Sequence, residues 1–152
     1  MAKTKLTIKT KETYLAQVTQ SVGSKMFQHI YANNKGRTVD ILKNGELSCA
    51  YFVSCVLKIF DLITNPHATV SSTVKDMLQS GWQQIPKPRV GSVLVWNEKT
   101  DSKGESHAHI GFYIGNNIAI SNSTKTKTPA KHHWTYNSKR KVEQILWHKQ
   151  IA

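Results

Sequence analysis

The stretch His107-Ala108-His109-Ile110-Gly111-Phe112-Tyr113-Ile114-Gly115-Asn116-Asn117-Ile118-Ala119-Ile120-Ser121-Asn122-Ser123 decides how the rest of the chain is read. Two apolar runs rich in isoleucine and aromatic residues flank an Asn-Asn pair. Such runs favour strands. Asn tolerates the left-handed backbone that a two-residue hairpin turn demands. The stretch therefore predicts an antiparallel hairpin, with 107–115 paired to 118–123. Upstream, Pro86, Pro88 and Gly91 punctuate the chain before another short strand, Val93-Leu94-Val95-Trp96. Asn97 to Ser106 reads as a polar loop and Thr124 to His133 as a basic one. Val142 to His148 reads as the last strand.

The N-terminal half has a different period. Leu15, Val18, Val22, Met26 and Ile30 recur at steps of three and four, which predicts a helix within 10–32 with one buried face. Gly23 weakens its middle. Asn33 to Arg37 and Asn44-Gly45 are turn signals. Ser48 is a favoured helix cap and opens a helical run from Cys49 to about Ile63, ended by Asn65-Pro66. Ser71 or Ser72 caps a third helix, which Gly81 closes. Helices first and an antiparallel sheet after them predict an α+β fold. The 152 residues suit one domain. Residues 1–10 are expected to form a short arm, and 44–123 to carry the chemistry.

Composition narrows the function classes. Two cysteines exclude a disulfide-stapled miniprotein. No apolar run approaches the ~20 residues of a spanning helix, so no membrane span is expected. Twenty-one Lys and Arg against nine Asp and Glu give a net charge of +12. Such a field attracts polyanions such as nucleic acid or anionic cell-wall polymers. The basic N-terminal residues are not followed by an apolar run of ~7–15 residues, so no secretory signal peptide is expected. That reading places the protein in the cytoplasm, or outside the cell by a non-classical route such as lysis, with action at a cell wall left open. Oligomeric state is not legible.

Cys49 is the first candidate for chemistry. The start of a helix carries partial positive charge and outward-pointing N–H groups. Both favour a thiolate over a thiol and can stabilise an oxyanion. A lone cysteine is otherwise a small buried hydrophobe, which is how Cys55, six residues on and on another helix face, is read. A nucleophilic cysteine needs a base. His109 opens an apolar strand, and Gly111 leaves the same face open beside its ring. His107 shares that face, nearer the polar loop. A third group should hold the imidazole. If Asn116 and Asn117 form the whole turn, Gly115 pairs with Ile118 and Gly111 with Asn122, and Asn122 becomes a diagonal neighbour of His109. A one-residue slip would put Ser121 or Ser123 there instead and turn Asn122 away. Asn122 is preferred because an amide carbonyl is the better orienter.

Three segments together, Gly45-Glu46-Leu47-Ser48-Cys49-Ala50-Tyr51-Phe52-Val53, Gly91-Ser92-Val93-Leu94-Val95-Trp96 and His109 to Asn116, resemble the minimal papain-like fold. The likeness is to NlpC-type cell-wall cysteine peptidases, with the CHAP amidases as neighbours, and covers roughly residues 44–123. It implies N-terminal helices on a small antiparallel sheet and a cysteine hydrolase, endopeptidase or amidase, acting on bacterial cell-wall peptide. With it, Cys49, His109 and Asn122 are taken as catalytic residues and Ser48, Tyr51, His107 and Trp134 as substrate-binding ones, and no cofactor or metal is expected. The chain departs from the family at Ser48 and Ala50, where Asp and Ser are usual, and at Ser92, where Asp is usual. No His follows on the strand after His109.

Two other readings use the same residues. His107, His109, His132 and His133 could gather around zinc, but no Cys or acidic ligand stands at a recognisable spacing. Lys125, Lys127, Lys131, Lys139, Arg140 and Lys141 lie near Trp134 and Tyr136. Charge mixed with stacking surfaces suits a non-catalytic module for nucleic acid or an anionic polymer.

Overall fold

Tyr14 and Val18, four residues apart, are the buried side chains of helix α1 (Thr10–Gln20). The computed structural model describes residues 3–152, and residues 3–9 run as exposed chain without regular structure. Met1 and Ala2 of the expected arm lie outside the described residues. The period-3.6 pattern thus holds for only half its expected length. Gly23 takes a positive φ of 78°, and Val22 and Met26 are exposed. The chain beyond them forms a separate hairpin, β1 (Tyr31–Asn34) with β2 (Arg37–Asp40). Its central turn was legible as a loop, but its polar strands carry no apolar alternation to announce them.

Helix α2 (Cys49–Ile59) is the apolar centre of the molecule. Ala50, Phe52, Val53, Val56 and Leu57 are buried on it, and burying one such large side chain contributes ~1.5–3 kcal/mol. Helix α3 (Val70–Gln79) follows. Its cap is Thr69, whose hydroxyl accepts the Ser72 N–H at 3.2 Å, rather than Ser71 or Ser72. No helix among the described residues is long and apolar enough to cross a membrane.

The remaining strands are β3 (Gln83–Gln84), β4 (Val93–Thr100), β5 (Ser106–Gly115), β6 (Ile118–Asn122), β7 (Pro129–His133) and β8 (Val142–Trp147). They form one six-stranded antiparallel sheet in the order β3-β8-β4-β5-β6-β7. A short 3-10 helix, Lys149–Ile151, ends the chain. Strand β7 occupies what read as the end of a basic loop. It adds Lys131, His132 and His133 to the sheet opposite Ile120, Ala119 and Ile118.

The two faces of the sheet do different work. Val93, Val95, Ile110, Phe112 and Ile120 join the core under the helices. There Phe112 meets Phe52 and Tyr14 edge to face, with ring centroids 5.4 and 5.8 Å apart. Leu94, Trp96 and Ala119 point the other way, into a smaller cluster with Tyr113, Trp134, Tyr136, Val142 and Ile145. The architecture is the expected α+β fold.

Candidate active site

Ser48 and Cys49 stand at the entry to α2. The Ser48 carbonyl accepts the Phe52 N–H at 2.9 Å, but its side chain makes no capping bond. Its Oγ is buried without a partner, so the expected hydroxyl cap is corrected. Cys49 is half-buried and borders a cavity of about 750 Å³. Leu47, His107, His109, Asn122 and Arg140 line the same cavity. Burial pushes the Cys49 thiol up, while the N–H groups of Ile110 and Ala50 and the charge of Arg140 favour the thiolate. Burial prevails. The resting sulfur is therefore a thiol, not the thiolate that its place at a helix start suggests.

His109 is buried on β5, opposite Trp96, with ring centroids 5.3 Å apart. Burial, then the charge of Arg140 and the charge His132 would carry if protonated, pull its pKa down to about 3, so the imidazole is neutral. Cys49 and His109 thus form a neutral pair bordering one cavity. They are not hydrogen-bonded to each other in this resting arrangement, and such contacts often tighten only when substrate binds.

The group that holds His109 is Ser121. Its Oγ lies 2.9 Å from His109 Nε2, 2.7 Å from His132 Nε2 and 3.1 Å from the Tyr136 hydroxyl. Valence orders the protons. His132 Nδ1 lies 2.8 Å from the His133 carbonyl, which only accepts, so Nδ1 carries the hydrogen. Burial lowers the pKa of His132 and keeps it neutral, so its Nε2 is a bare acceptor. Ser121 donates its one proton there. Its oxygen then accepts from His109 Nε2–H and from Tyr136. His109 Nδ1 is left with a lone pair and no partner among the described residues. Tyr136 stacks on His132 at 4.0 Å and 11° and seals the network.

Asn122 does not orient His109. Gly115 pairs with Ile118 as expected, but a bulge between Tyr113 and Gly115 shifts the register, and Gly111 faces Ser121. Consecutive strand residues point to opposite faces, so Asn122 turns toward the helices. Its Nδ2 donates to the Gly45 carbonyl at 2.7 Å, and its buried Oδ1 has no partner. The slipped register with Ser121 is the alternative that occurs. Gly111 makes it possible, because a Cβ there would lie 2.6 Å from Ser121 Cβ.

His107 lies at the cavity mouth, 3.3 Å from Asp101 and 3.6 Å from Glu105. Tyr51 and Trp134 are not among the cavity's lining residues. Tyr51 packs on the main core. Trp134 sits edge to face on Tyr113 at 5.9 Å, and its carbonyl accepts the Trp96 indole N–H at 2.8 Å. Trp134 is a structural residue of the far face, so its expected place in substrate binding is corrected. Trp134 and Tyr136 are both half-buried and pack against the smaller cluster of the far face. Cys55 packs against the core.

Three residues bring chemistry that the sequence reading placed elsewhere. His132 read as one of four histidines that could gather around zinc, Arg140 as part of a basic surface, and Tyr136 as a stacking group. The alternation of His132 with Ala130 along a strand was the available signal, hidden because β7 read as loop.

No family model matches the chain, and no curated protein matches it. Among solved structures the chain is similar to NlpC2 from Trichomonas vaginalis, with a TM-score of 0.54 and 20% identity over 89% of this chain and 45% of that one. The chain spans less than half the length of that structure. The likeness shows an NlpC-like fold.

Proposed function

We propose that this protein is a cysteine hydrolase that cleaves an amide bond. One observation carries the reading: a cysteine at a helix start and an imidazole with a free Nδ1 border one cavity, while a hydroxyl holds the far nitrogen of that imidazole. In the first step the Cys49 sulfur attacks the substrate carbonyl carbon as its proton passes to His109 Nδ1. The backbone N–H of Cys49 donates to the oxyanion. Collapse expels the amine, which takes the proton from His109, and leaves a thioester. Water then attacks, its proton goes to Nδ1, and the carboxylic acid leaves as the thiol is restored. Ser121 keeps Nε2–H in place throughout.

The proposed substrate is a peptide of the bacterial cell wall, cut as an endopeptidase or amidase would cut it. The sequence resemblance and the NlpC-like fold support this class, and a charge of +12 suits a wall rich in anionic polymer. The test is digestion of purified peptidoglycan, with new amino groups and carboxylates read by mass spectrometry. Wild type and Cys55→Ala should cut, whereas Cys49→Ala and His109→Ala should lose at least about a hundredfold in rate. Equal cutting by Cys49→Ala would end the proposal. The competing reading, a basic binding module, keeps exposed Lys125, Lys131, Lys139 and Lys141. It would show as salt-sensitive binding to DNA or teichoic acid with no cleavage by any variant.

A further inference from the structure

Arg140 is a half-buried cation of the cavity wall that the hydrolytic steps leave unused. Its guanidinium is half-buried and held by backbone. Nε and Nη2 donate to the Asn97 carbonyl at 3.1 and 3.0 Å, and Nη2 donates to the His107 carbonyl at 2.9 Å. A guanidinium has five N–H donors. These bonds use Nε and both hydrogens of Nη2, so the two on Nη1 have no partner among the described residues. No carboxylate lies within 4.0 Å of it among those residues, where the ion pairs engage Lys9, Lys58, His29, His67 and His107 instead. Glu46 and Glu98, the unpaired acids of the cavity, are exposed at its rim. A partly desolvated arginine without a counter-ion is costly. Here its cation is fixed in the wall of the cavity that Cys49 borders, and both Cys49 and His109 feel its charge.

We propose that Arg140 is the specificity residue of this cavity and receives a carboxylate carried by the substrate close to the bond that is cut. The inference rests on Cys49 being the nucleophile and adds the chemical class of what it attacks: an acyl group with a neighbouring carboxylate. Two backbone carbonyls hold the guanidinium in place before substrate arrives, so little side-chain entropy is lost on binding. The planar fork suits a carboxylate better than the ammonium of a lysine would.

The test needs no knowledge of the natural substrate. Iodoacetate and iodoacetamide alkylate the same sulfur and differ in carrying a carboxylate or a neutral amide. Their rates are measured at Cys49 and at Cys55 by mass spectrometry, at one pH near 8.5 and one ionic strength. The ratio of the two rates cancels the thiolate fraction and the general accessibility of the sulfur. The ratio should be higher at Cys49 than at Cys55. It should fall about fivefold at Cys49 in Arg140→Gln, the size expected of one nearby charge in a partly solvated site. Arg140→Lys should keep most of the preference, and the ratio at Cys55 should not move. If Arg140→Gln slows both reagents alike, Arg140 is only a clip between backbone carbonyls and the proposal is overturned. If neither reagent reaches Cys49 while Cys55 reacts, the nucleophile reading itself fails, and this inference with it.

Discussion

Ser121 and Asn122 are neighbours in sequence with separate tasks, and single substitutions should separate them. Ser121→Ala removes the acceptor for His109 Nε2–H. We expect kcat to fall about 10- to 100-fold with little change in KM, since this hydroxyl does not line the cavity. Asn122→Ala removes the donor to Gly45. It should cost about 1–3 kcal/mol of stability, seen as a lower Tm, with kcat per folded molecule nearly kept. If Asn122→Ala abolishes turnover in well-folded protein, the register argument is wrong. His109 gives a second prediction at this scale. As the proposed base it works only when neutral, and its pKa is pulled down to about 3. Activity should therefore persist as pH falls from 7 to about 4, where an ordinary imidazole of pKa ~6.5 would already be protonated. An acid limb centred near 6.5 in kcat/KM would contradict this. Cys49 and His109 were legible as residue types at telling positions. Their ionisation was not, because it depends on burial, which the sequence does not print.

At the scale of elements, the β5–β6 hairpin and α3 each hold one decisive contact. Gly111→Ala would press a methyl group to 2.6 Å from Ser121 Cβ and 2.7 Å from the Ile120 carbonyl. The strands must part. We expect about 1–3 kcal/mol of overpacking and, with Ser121 displaced, a loss of activity matching that of Ser121→Ala. Asp76 on α3 is buried, and its carboxylate accepts from Thr64 N–H at 3.0 Å, Asn65 N–H at 3.1 Å, the Ser80 hydroxyl at 3.0 Å and His67 Nε2 at 2.6 Å. Burial alone would raise its pKa, but the bonds from His67 and the two backbone N–H groups outweigh it and hold the carboxyl well below the usual carboxylate range. Below pH ~3.9 the unfolded chain therefore binds a proton that the folded chain refuses. The stability that Asp76 supplies is whole at neutral pH and drains away as the solution is acidified past that value. Asp76→Asn should lower Tm at pH 7 and narrow its deficit near pH 3, as denaturation scans at both pH values would show.

For the whole molecule, charge is the property with a measurable consequence. A net +12 acts over a Debye length of about 8 Å at physiological salt. On the proposed function, cleavage of intact anionic wall should slow markedly between 50 and 500 mM NaCl, while cleavage of a small neutral fragment should change little. Equal salt dependence for both would mean that the surface charge plays no part.

The sequence alone determined the α+β order, the Asn116-Asn117 turn with its left-handed residues (φ 52° and 62°) and the place of Cys49 at a helix start. These are local matters, set by periodicity and turn chemistry. Tertiary structure decided which side chain meets His109, because one bulge exchanges the two faces of a strand. It also decided that β7 exists, since its lysine and histidines pair with β6 rather than follow an apolar pattern. It turned Arg140 from one basic residue among many into a fixed cation in the cavity wall, through two carbonyls more than thirty residues away along the chain.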